Sequence, residues 1–190
     1  MTSIAETRAQ TQSPDRLPDY IVDAIGQLQN EKTKKPLPVR EFRPNTAIMH
    51  KGEKGSTMYV ILSGEIGVYV DDRTPIRISG KGGFFGEMAS LFEDANRAAT
   101  VISDGFFSTR ALEMTAADVL GLLMLGRRFE SAYQIITQTA ASRALDNLTK
   151  NPDAAKASGI PPLDQWMKTE AGLRVPPLRA ISHTRFVAPK

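Results

Sequence analysis

FFGEMASLFEDANRAATV, residues 84–101, sets one Glu and one Arg ten residues apart among small and apolar neighbours. It follows directly on the glycine-rich run Ser79-Gly80-Lys81-Gly82-Gly83. A lone carboxylate or guanidinium in such company is costly to bury unless something pairs with it. Two arrangements meet that requirement. Glu87 and Arg97 hold each other in a structural ion pair, or both are placed for a ligand with an anion at one end and a hydroxyl at the other.

Outward from this stretch the chain has the short period of β-structure. Thr46–His50, Thr57–Ser63, Glu65–Val70 and Pro75–Ser79 are β-rich segments, separated by the turn sequences Lys51–Gly55, Ser63-Gly64 and Asp71–Thr74. Two further strands are expected near residues 98–103 and 106–113, and Glu87 to about Leu91 suits one helical turn inside the β region. Short strands at even spacing indicate a sandwich, roll or barrel. The flanks are helical. Ile21, Ala24, Ile25 and Leu28 recur at helical spacing behind Pro18, which suits a helix start. Thr115–Leu123 reads as a short helix and Phe129–Leu148 as a longer one, with Phe129, Ala132, Tyr133, Ile136, Ala140, Ala144 and Leu148 three or four residues apart. Ala140, Ala141, Ser142 and Ala144 leave little bulk, so residues 129–148 are a candidate homodimer contact.

At 190 residues, with 41% hydrophobic and 24% charged content, the chain is long enough for one buried core with extensions. The absence of cysteine excludes disulfides, thiolate metal sites and iron–sulfur clusters. The two histidines, His50 and His183, are too few for the multi-histidine metal site of cupin enzymes. His50, before Lys51-Gly52-Glu53, is read as structural. No Ser stands with a His and an acid in a usable arrangement. No catalytic residue and no metal ligand is therefore expected, and the chain is not expected to be an enzyme. No stretch has the length of a membrane span, and the N-terminus lacks the apolar centre of a secretory signal, so the expected location is cytoplasmic. The net charge of +3 lies at one end: residues 151–190 carry six Lys and Arg against three Asp and Glu. That modest excess is weak ground for nucleic acid.

The order of helix, β-rich region, short helix and long helix, with FGE followed by RAAT inside the β-rich region, resembles the cyclic nucleotide-binding domains. That family includes the bacterial catabolite activator protein and the regulatory subunits of cAMP-dependent kinase. IMHKGEKGSTMYVILSGEIGVYV, residues 48–70, is similar to the family's opening strands and glycine turns, and FGE with RAAT to its phosphate-binding cassette. The resemblance implies a mainly β fold with flanking helices: an eight-stranded β-roll, double-stranded and jelly-roll-like, followed by a long C-terminal helix. Three regions are expected: an N-terminal arm with a short helix over 1–36, the nucleotide-binding domain over 37–150, and an extended Pro-rich tail over 151–190.

The chemistry of the residues agrees with that ligand class. Arg97 offers a planar fork of donors suited to phosphate oxygens. Glu87 is an acceptor for a ribose 2′-OH, Gly86 lets the backbone approach closely, and N–H groups of the following turn add partial positive charge. The resemblance implies a ligand-binding set of Gly86, Glu87, Met88, Ala89, Arg97 and Ala98. Thr139 and Ser142, with Thr137 beside them, are candidates on the long helix to bond the base. Ala98 supplies no hydroxyl to guanine, so cAMP is the expected ligand ahead of cGMP.

The bacterial regulators follow their long helix with a helix-turn-helix. Here Pro161-Pro162 and Pro176-Pro177 break any such pair, so no DNA partner is expected. Two functions remain. The first is a cyclic nucleotide sensor regulating a separate protein through the long helix and the tail. The second is an accessory subunit of a larger assembly that keeps the fold and docks through its arms. In the tail, Leu163, Trp166 and Met167 are expected anchors, with Arg174, Arg179 and Arg185 reaching acidic surface, and in a complex the tail is expected to lie extended across a neighbouring chain with Trp166 buried.

Overall fold

The computed structural model describes residues 16–30, 34–70, 74–88, 95–150, 153 and 186–187. It opens with α1 (Asp19–Gly26), β1 (Gln29–Asn30), β2 (Val39–Phe42), β3 (Ala47–Met49), β4 (Thr57–Ser63) and β5 (Glu65–Tyr69). Then come β6 (Ile76–Ser79), β7 (Phe84–Phe85), β8 (Thr100–Ser103) and β9 (Thr109–Thr115). The helices α2 (Ala116–Gly121) and α3 (Arg127–Lys150) follow, and β10 (Phe186–Val187) comes last.

The strands form the expected roll of eight, as two four-stranded antiparallel sheets in the orders β2-β9-β4-β7 and β3-β8-β5-β6. Side-chain alternation divides the core in two. Along β4, Met58 and Val60 face the helices while Ile61 points between the sheets. Phe84 and Phe85 of β7 split in the same way. Met49, Ile61, Ile66, Phe85 and Val101 fill the inside of the roll. On the other side, Leu17, Ile21, Val22, Ile25 and Leu28 meet Ala132, Tyr133, Ile136, Ala140 and Ala144 of α3 in one cluster. The segment around α1 is thus part of the main core, although the sequence groups it with an arm.

Thr115 and Asp118 start α2 with a reciprocal capping box. A 3-10 turn over Leu122–Leu125 and Gly126 at φ +94° then redirect the chain into α3. This long helix runs two residues further at each end than its apolar spacing indicates.

Two expectations change. β2 and β7 escape the sequence pattern: β2 is an edge strand with little burial, and β7 is two residues long after a glycine run. The strand expected from residue 106 begins instead at Thr109, because Phe106 and Phe107 project from the β8–β9 loop into solvent. At the far end of the chain, Phe186 lies opposite Asn30 and Val187 opposite Gln29 in an antiparallel pair. The anchors Leu163, Trp166 and Met167 and the three tail arginines lie outside the described residues.

Candidate functional site

Arg97 sits just before β8, and its backbone is tied to the turn between β3 and β4. Its N–H donates to the Glu53 carbonyl at 2.8 Å, and its carbonyl accepts from the Gly52 N–H at 2.8 Å. The guanidinium turns inward. Nη1 donates to the carbonyls of Thr57 at 2.7 Å and Gly86 at 3.0 Å, and Nη2 to Thr57 Oγ1 at 3.3 Å. Two glycines permit this close approach. A Cβ on Gly55 would lie within 2.5 Å of three guanidinium atoms. Gly86 has φ +80°, and a Cβ there would stand 2.8 Å from Nη1.

The electrostatics follow from that cradle. Arg97 is 6% exposed, and burial lowers its pKa from the ordinary guanidinium value against the opposing attraction of Tyr59, Glu87 and Glu53. Among the described residues no carboxylate forms an ion pair with it; carbonyl dipoles and one hydroxyl hold it. The result is a buried, persistently charged cation whose positive charge is only partly offset.

Glu87 begins a helical turn directly after Gly86 and is 2% exposed. Its Oε1 accepts from Arg143 Nη1 of α3 at 2.9 Å. Arg143 also lies over the Phe84 ring, 5.4 Å from its centroid, and Nη1 reaches the Phe84 carbonyl at 3.4 Å. One turn further along α3, Asn147 Nδ2 points to Met88 Sδ at 3.9 Å. Glu87 and Arg97 therefore take different partners, and the pair is not a simple mutual ion bridge. A carboxylate has about four acceptor positions, so Glu87 can hold Arg143 and other donors together.

Gly86, Glu87 and Arg97 are brought together by the fold, with half-buried Met88 and Ala98 beside them. Ala89 lies outside the described residues. Thr139, Arg143 and Asn147 share one stripe of α3 by their spacing of four, and Thr139 is buried. Ser142 is exposed, and Thr137 donates to the Tyr133 carbonyl of its own helix at 2.9 Å. Sequence reasoning missed Gly55, Thr57, Arg143 and Asn147. The signal for Arg143 was present: a single guanidinium inside the small-residue run Ala140-Ala141-Ser142-Arg143-Ala144.

The family described as cyclic nucleotide-binding domain matches residues 39–126. The match takes in just under half of the chain. Among the chain's relatives is the cAMP-dependent protein kinase regulatory subunit of Hypocrea atroviridis, 34% identical over 83 residues. That match covers 44% of this chain and 18% of the relative. The cGMP-dependent protein kinase of Plasmodium berghei is 30% identical over 83 residues, covering 44% of this chain and 10% of the kinase. The chain thus spans between a tenth and a fifth of the length of these two relatives. The catabolite activator protein of Thermus thermophilus matches with a TM-score of 0.46 at 21% identity, over 74% of this chain and 60% of that one. Among the described residues no group of His, Asp and Glu could hold a metal ion, and no helix is long and apolar enough to cross a membrane.

Proposed function

We propose that this chain is a cyclic nucleotide sensor that takes cAMP in preference to cGMP and regulates a separate partner protein. The observation that carries the reading is Arg97: a buried guanidinium, held by carbonyls on a glycine-lined cradle, with charge left over for a phosphate. Gly86, Glu87, Met88, Ala89 and Ala98 complete the ligand set, with Thr139 the better placed of the two helix candidates because it shares a stripe with Arg143. Glu87 is given two tasks, the ribose hydroxyl and Arg143. Through the second, whatever alters Glu87 is felt by α3. The chain acts by binding and not by catalysis, and residues 37–150 form the binding unit.

The competing reading, an accessory subunit docking through its arms, has less support. α1 is used in the chain's own core, and Phe186–Val187 in its own two-stranded sheet. Calorimetric titration with cAMP and cGMP tests the proposal. Loss of a buried, charge-assisted contact typically costs about 2–5 kcal/mol, so Arg97→Ala weakens cAMP binding by at least about a hundredfold while the domain stays folded. Absence of wild-type binding at millimolar cAMP overturns it.

A further inference from the structure

The loop between β8 and β9 carries two phenylalanines on a rigid stem. Ser103 and Thr109 at its neck are fully buried and joined by a 2.9 Å bond from Ser103 Oγ to Thr109 Oγ1. Thr109 Oγ1 in turn donates to the Glu65 carbonyl at 2.8 Å. Above this neck, Phe106 is 99% exposed and Phe107 82%. Two adjacent aromatic rings in water on a pinned loop lose apolar contact without serving the core, and exposed apolar patches of this kind mark interaction sites.

The rings border a groove of about 640 Å³ whose polar lining includes Glu65, Arg77 and Asp104. Arg77 Nη1 donates to Glu65 Oε1 at 2.6 Å and lies 2.9 Å from Asp104 Oδ2. Asp104 Oδ2 is buried yet makes no bond of hydrogen-bonding geometry. One guanidinium faces two carboxylates, so the groove keeps a net negative charge next to two ring faces. Ring faces and carboxylates attract the same partner, a cation on an apolar stem. The carboxylates also oppose an anionic lipid surface.

We propose that this groove is a docking site for a partner protein's exposed segment in which an Arg or Lys stands next to an apolar residue. The cation enters beside Glu65 and Asp104, and its apolar neighbour covers Phe106 and Phe107. The surface is separate from Arg97 and does not depend on nucleotide binding.

The test is selection of phage-displayed random dodecapeptides on the immobilised full-length chain, with the best sequence then measured by fluorescence anisotropy. Enriched peptides are expected to carry Arg or Lys beside an apolar residue. Phe106→Ser with Phe107→Ser, both outside the core, weakens binding at least tenfold. Replacing the peptide's Arg by citrulline weakens it about tenfold on the wild-type chain and less than threefold on Glu65→Gln with Asp104→Asn. Any of several results overturns the proposal: no enrichment, enrichment without basic residues, or binding indifferent to the two Phe substitutions. So does binding to phosphatidylcholine–phosphatidylserine vesicles through the same rings, or self-association in sedimentation that the Phe substitutions abolish.

Discussion

Arg143→Met tests whether the long helix is fastened to the candidate site through Glu87. The substitution keeps an unbranched stem over Phe84 but removes the cation from a 2.9 Å pair. The Glu87 side chain is 3% exposed and that of Arg143 28%. Removing one partner of a fully buried pair costs about 3–5 kcal/mol; solvent at the arginine lowers this to about 2 kcal/mol. The lost ring contact adds about 0.5–1 kcal/mol. Arg143→Met is therefore expected to destabilise the chain by about 2–3 kcal/mol. Glu87→Gln removes the charge with little change of shape, and in the Arg143→Met background it should cost less than in the wild type. Urea unfolding of the wild type, both single variants and the double variant, followed by circular dichroism, reads the coupling directly. A coupling of about 1–2 kcal/mol is expected. A value below about 0.5 kcal/mol, at constant m, would refute the fastening.

Three further substitutions follow from the geometry. Gly55→Ala forces the Arg97 guanidinium away from its cradle and should weaken cAMP binding at least about tenfold; affinity within twofold of wild type would show that the close approach is dispensable. Burial raises the Tyr133 phenol from 10.0 to about 12, so the unfolded chain ionises first and stability falls as pH rises from about 10 toward 12. Tyr133→Phe should flatten that limb in pH-dependent urea melts and, because its buried hydroxyl has no hydrogen-bond partner among the described residues, cost no more than about 0.5 kcal/mol at pH 7. Ala98→Thr adds one hydroxyl and should narrow the cAMP over cGMP ratio by a factor corresponding to about 0.5–1.5 kcal/mol, as read by paired titrations; an unchanged ratio places base selection elsewhere.

Strand and helix identity were legible in this chain because side-chain period is a local property. Thr57–Ser63 is β-rich, the apolar residues from Phe129 to Leu148 recur every three or four, and the two segments fold as strand and helix. Gly86, Glu87 and Arg97 were legible for a related reason, since isolated charges among small residues must be answered by something. What answers them was not legible. Arg143 lies 56 residues from Glu87 and Gly55 lies 42 before Arg97, and only the meeting of distant surfaces makes them a cradle and a clamp. The same holds at the β8–β9 loop. Phe106 and Phe107 read as strand residues because apolar side chains usually go inside, yet the buried Ser103–Thr109 neck closes beneath them and leaves both rings in water.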